Sequence, residues 1–259
     1  MQYVVKGRGT LNDGNLSAVM ARLNMRRPML VCSARMQADF AARTGMALPC
    51  FSGYHPNPDL ADAIAGAEMY REKGCDGLIS VGGGSAMDTA KAVKALLLAG
   101  NMDDVRTSRL PEGDVTHIAI PGTAGTGAEA TPIAVVYENN EKLSLDHQVL
   151  LPEAILLDGS LLDTLPLYHK KACAMDALCQ GIESYWAVQA TGESRVHAER
   201  AILQQTLQQR AFAGAGCAGN HQQHTLAIFH QSSASSSVSL PRSPMRPATV
   251  SGCRGESTI

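Results

Sequence analysis

Short apolar runs alternate with amphipathic stretches along the first two-thirds of the chain. Met29-Leu30-Val31-Cys32 has the length of a buried strand. Asp59 then precedes a stretch in which Leu60, Ile64 and Ala67 share one helical face, and Gly74 closes it. Gly77-Leu78-Ile79-Ser80-Val81 predicts the next strand, residues 89–98 a helix ending at Gly100, and His117-Ile118-Ala119-Ile120 a third strand stopped by Pro121. Residues 133–137 and 154–157 are two further runs of strand length. This alternation predicts an α/β fold over residues 1–165: a Rossmann-like nucleotide-binding domain with a mainly parallel sheet and helices on both faces. Ligands of such sheets sit beyond the carboxyl ends of the strands.

From Leu165 the pattern changes. Residues 170–188 and 192–207 have helical periodicity and read as the start of an all-helical second domain spanning 166–207. Beyond it no lysine follows Lys171, no aspartate follows Asp176, and no acidic residue stands between Glu199 and Glu256. Ser232-Ser233-Ala234-Ser235-Ser236-Ser237 centres a low-complexity segment that cannot bury enough apolar surface to offset its ordering entropy. Residues 208–259 are therefore expected to be a disordered tail. Its origin is either a natural tail or an out-of-frame continuation of a longer gene. The second suits a helical domain that stops just after it starts, and whose apolar faces between 173 and 188 would be left uncovered.

Composition narrows the possible partners. The 259 residues are 45% hydrophobic with a net charge of -2, and no basic stripe is interleaved with aromatics, which argues against nucleic acid. No uninterrupted apolar stretch approaches about 18 residues, and the first eleven residues hold no apolar signal core, so neither membrane nor secretion is expected. The cysteines at 32, 50, 75, 173, 179, 217 and 253 form no C-x-x-C pair. Scattered thiols of this kind suit a reducing cytoplasm better than a disulfide framework or a zinc knuckle.

Three motifs carry chemistry. Gly82-Gly83-Gly84-Ser85-Ala86-Met87-Asp88 joins a predicted strand to a predicted helix. Glycines there let backbone approach a phosphate closely, and the first helical amides and the helix dipole favour an anion. Ser85 and Asp88 have the spacing of a capping pair, with Ser85 as N-cap. Pro121-Gly122-Thr123-Ala124-Gly125-Thr126-Gly127-Ala128-Glu129-Ala130-Thr131 follows the third strand, and its amides and hydroxyls can surround phosphate and ribose oxygens. Asp176 and Gln180 stand four apart in the helical stretch, so they share a face and can offer two ligands to one cation.

In order and spacing these motifs resemble the iron-dependent (group III) alcohol dehydrogenase family. The likeness begins at Pro56-Asn57-Pro58 and runs through both glycine loops, Leu151-Pro152, Leu165-Pro166 and the stretch from Met175 to Tyr185. Within the family the phosphonoacetaldehyde reductases look most similar. The resemblance implies a metal-dependent, NAD- or NADP-linked reductase of a small aldehyde, or dehydrogenase of the alcohol, with homo-oligomers possible in the intact member. Asn57, Gly83, Gly84, Ser85 and Asp88 would contact the dinucleotide. Thr123, Gly125 and Thr126 would line its other side, and Lys142 would lie near the nicotinamide ribose. Asp176 would be the first ligand of Fe²⁺ or Zn²⁺, with Gln180 where the family usually has His. No side chain stands out as a proton donor, so no catalytic residue is assigned.

Two departures matter. Ser33 occupies the place of the acidic residue that favours the 2′-hydroxyl of NAD, so NADP is expected to be accepted. The family's two downstream metal histidines have no counterpart, because His221, His224 and His230 lack the motif around them. The rival expectation is therefore an inactive fragment that retains only nucleotide binding.

Overall fold

Leu78 packs into one apolar core while its neighbours Ile79 and Val81 pack into another, and all three are fully buried. A strand covered on both faces has this continuous apolar composition. The computed structural model describes residues 2–12 and 14–214. In chain order these form β1 (Tyr3–Gly7), α1 (Asn15–Arg22), β2 (Met29–Val31), α2 (Ala34–Thr44), β3 (Cys50–Phe51), α3 (Leu60–Glu72), β4 (Gly77–Gly82) and α4 (Gly84–Leu98). Then come α5 (Met102–Arg106), β5 (Thr116–Pro121), β6 (Ile133–Glu138), β7 (Glu141–Asp146), β8 (Ala154–Asp158), α6 (Leu167–Trp186) and α7 (Gly192–Gly214).

The main sheet has the order β1-β8-β5-β4-β2-β3, and its paired strands are parallel. One face carries Leu16 and Val19 of α1 and Phe40 of α2; the other carries Leu60 and Ala63 of α3 with Ala90 and Val93 of α4. Two strand expectations need correction. The run at 133–137 is not in the parallel sheet: β6 pairs antiparallel with β7, from Ile133↔Asp146 to Glu138↔Glu141. Conversely, Tyr3–Gly7 is an edge strand along β8, although its largely exposed residues gave no apolar signal. Edge strands face water and lose the composition that marks central ones.

Helix ends follow local chemistry. Asp59 and Asp62 form a reciprocal capping box on α3, and Ser33 caps α2 by accepting from the Met36 amide. α6 and α7 pack on each other, and Met175, Trp186 and Val188 are exposed. α7 continues to Gly214 rather than ending near Leu207. From residue 215 the expected tail lies outside the described residues.

A buried polar set sits where α4 crosses the sheet. The Lys94 ammonium donates to Glu153 Oε1 at 2.6 Å, and Glu153 Oε2 accepts the His117 amide at 2.6 Å. His117 Nε2 lies 2.8 Å from Ser80 Oγ. Burial, reinforced by the charges of Lys94 and Lys91, holds the His117 imidazole well below its ordinary value. His117 therefore stays neutral in the fold, while an unfolded histidine gains a proton below about pH 6.5. The unfolded state then binds more protons, so stability falls with pH in that window. Urea unfolding at pH 7 and at about pH 5.5 should show a loss of about 1 kcal/mol from this group that His117→Asn lacks. An equal loss in both proteins would place the linkage elsewhere.

Candidate functional site

The site is built where β4 and β5 run side by side. Their register pairs Gly82 with Pro121, so the two glycine loops leave the sheet together. The Gly122 amide donates to the Gly82 carbonyl at 2.8 Å, and a methyl on Gly122 would lie 3.3 Å from Gly82 Cα. Gly82 itself has φ of 150°, a conformation that favours glycine.

The helix start differs from the expected cap. Gly83 is the N-cap of α4 and no side chain caps the helix; Ser85 is already inside it, its carbonyl accepting from Thr89 Oγ1 at 2.7 Å. The chain enters α4 two residues earlier than a Ser85 cap requires because Gly82 and Gly83 make the turn. The first amides of a 15-residue helix are thus left without a side-chain partner, at the positive end of its dipole. Thr123 and Thr126 stand over this end, since a methyl on Gly83 would lie 3.3 Å from the Thr123 side chain and one on Gly84 3.3 Å from that of Thr126. Thr126 Oγ1 also accepts the Ala128 amide at 3.3 Å.

Gly125 joins this cradle to the helical pair. A methyl there would come within 3.0 Å of both the Cys173 backbone and Asp176 Oδ2 on α6. Asp176 and Gln180 do share a face, with Gln180 Nε2 donating to Asp176 Oδ1 at 3.4 Å. One carboxylate and one amide fall short of the roughly three protein ligands of a catalytic metal. Among the described residues no group of three or more His, Cys, Asp or Glu could hold a metal ion. The donor set in view therefore does not fit a resident metal.

The other expected residues lie beside or behind the cradle. Asn57, at φ 56°, precedes Pro58, whose carbonyl accepts the Tyr137 amide at 2.9 Å; Lys142 faces Tyr137 across the β6–β7 hairpin. Asn57, through its neighbour Pro58, and Lys142 thus both adjoin Tyr137. Asp88 lies behind the loop, where it accepts the Val135 amide; burial pushes its carboxyl up to about 6 against the pull of Lys91.

Lys91 is the residue that sequence reasoning missed. It is fully buried, and its ammonium donates to the Ala128 and Ile133 carbonyls at 2.7 Å each and to Thr131 Oγ1 at 3.3 Å. Burial lowers it to about 8, with Asp88 and Glu129 opposing that shift, so it remains largely protonated at neutral pH. Its place three residues after Asp88 was the one available signal, because i and i+3 share a helical face.

The family described as iron-containing alcohol dehydrogenase matches residues 2–159. The probable alcohol dehydrogenase EutG of Escherichia coli (strain K12) is 39% identical over 150 residues, 55% of this chain and 36% of that protein. The phosphonoacetaldehyde reductase of Streptomyces viridochromogenes is 38% identical over 152 residues, 54% of this chain and 38% of that protein. The chain thus spans well under half the length of these two curated relatives. In fold it resembles the sulfoacetaldehyde reductase of Bifidobacterium kashiwanohense, solved in complex with NAD+, with a TM-score of 0.75 at 23% identity over 90% of this chain and 63% of that one. Among the described residues no helix is long and apolar enough to cross a membrane. The chain belongs to the iron-containing alcohol dehydrogenase family.

Proposed function

We propose that the paired glycine loops seat a nicotinamide dinucleotide, in a lineage that interconverts small alcohols and aldehydes. The observation that carries this reading is the uncapped start of α4 beneath Thr123 and Thr126. Its amides suit a pyrophosphate, and the threonine hydroxyls suit the oxygens on its other side. The bound nicotinamide supplies or accepts a hydride at the substrate's carbonyl carbon. This chain's own contribution is to hold and orient the cofactor, with Asn57 and Lys142 flanking the seat. Likeness to the Streptomyces enzyme supports phosphonoacetaldehyde as the first substrate to try.

Titration of the full chain with NADH should give saturable binding, weakened about tenfold or more by Gly84→Val. The valine would collide with Thr126 and obstruct close approach of the phosphates. Tight binding unaffected by that substitution would remove the seat from these loops.

Ser33 bears on cofactor choice. It stands two residues after β2, and its hydroxyl is engaged with the Met36 amide. A serine there places no carboxylate against a 2′-phosphate. NADPH and NADH should therefore bind within about tenfold of each other, or 1.4 kcal/mol. A larger preference for NADH would assign discrimination to another residue.

The two-donor set of Asp176 and Gln180 favours a second reading, in which the chain binds cofactor without effective turnover. Reduction of phosphonoacetaldehyde with added Fe²⁺ or Zn²⁺, followed by NADH absorbance, should then stay below about 1 per second. Turnover of about 1 to 1,000 per second would refute that reading and support a completed site.

A further inference from the structure

Two cysteines that lie 18 positions apart in the sequence meet at the edge of the proposed cofactor seat. Cys32 follows β2 and its amide donates to the Phe51 carbonyl at 3.2 Å; Cys50 opens β3, opposite Leu30. Their sulfurs are 3.7 Å apart. Cys32 is fully buried and Cys50 half-buried, so Cys50 is the more exposed of the two residues. We infer that Cys32 and Cys50 form a redox pair that a small-molecule disulfide oxidises to an intramolecular disulfide, loosening the cofactor seat.

The order of events follows from the environments. The two sulfurs share one hydrogen bond in which either thiol can donate, and this contact lowers Cys50 below the ordinary thiol value while the contact and burial hold Cys32 up. Cys50 is therefore the thiolate that attacks first. It forms a bond to one sulfur of the oxidant and releases the other half as a thiolate. Cys32 then loses its proton and attacks the Cys50 sulfur, expelling the second half. Two protein thiols lose two electrons and two protons, and one oxidant disulfide becomes two thiols.

The effect on the seat follows from what each cysteine adjoins. A bonded pair of sulfurs stands about 2.05 Å apart, so the contact must close by about 1.7 Å. Ser33, the cap of α2, is the next residue after Cys32. Downstream of Cys50 the chain reaches Tyr54, whose hydroxyl would lie 4.0 Å from a methyl on Gly82, and then Asn57. Both strands that move therefore lead straight into residues bordering the nucleotide. This second half of the inference rests on the proposed cofactor seat, whereas disulfide formation does not.

The full-length protein is equilibrated with oxidised or reduced glutathione, and its peptides are mapped by mass spectrometry. A Cys32–Cys50 cross-link is expected, lost in Cys50→Ser; a mixed adduct that stops at Cys50, or no cross-link, overturns the inference. NADH affinity should fall about fivefold or more on oxidation of the wild type and not in Cys50→Ser. By linkage, saturating NADH should shift the thiol–disulfide equilibrium towards thiols by the same factor. An unchanged affinity with the cross-link present overturns the coupling. If the reduced protein fails to bind NADH, the cofactor reading fails separately. Amide exchange then decides on movement: the Met36 and Gln37 amides, both bonded to Ser33, should exchange faster after oxidation, and unchanged rates count against it.

Discussion

The buried ammonium of Lys91 must find its acceptors inside the protein, and it finds them on the backbone that leaves the threonine loop. An uncompensated charge at that depth would cost several kcal/mol, roughly the magnitude that unfolds a marginal domain. The chain from Ala128 to Ile133 is therefore held against α4 wherever that lysine is charged and enclosed. Asp88, one turn earlier, takes the Val135 amide, so an acid and a base on one helical face grip alternate residues, Val135 and Ile133, of the same strand. What stands over the helix start, and how far β6 lies from the main sheet, both depend on this grip.

The central sheet was legible because its strands are enclosed. Residues such as Leu78, Ile79 and Val81 are apolar in succession only when both faces are covered. The same rule misleads at the margins. The run at Ile133 owes its apolar character to packing with α4 and its hairpin partner, which a one-dimensional pattern cannot distinguish from a place in the parallel sheet. Tyr3–Gly7 is the converse, a strand of the sheet whose side chains are mostly wet.

At the site, the meeting of the two glycine loops was readable because each follows a central strand of the same parallel sheet. The cap assigned to Ser85 was not, since two alternative starts differ only in which glycine turns the chain, and backbone angles decide that. Lys91 escaped notice because a lysine in an amphipathic pattern normally implies a wet face, and nothing local announces that it will be enclosed. Cys32 and Cys50 were scored as isolated for a related reason: proximity between adjacent parallel strands is a property of sheet order, which sequence separation conceals.

Gly125 has no slack. With a methyl's breadth already denied by the Cys173 backbone and the Asp176 carboxylate, the loop and α6 bear on each other like a tooth in a notch. A small tilt of that helix must then displace the threonines that flank the helix start, because the loop is pinned on its other side by Lys91. The glycine-loop end of the molecule is in this way mechanically geared to its helical end. A displacement of Asp176 would be felt at the glycine loops.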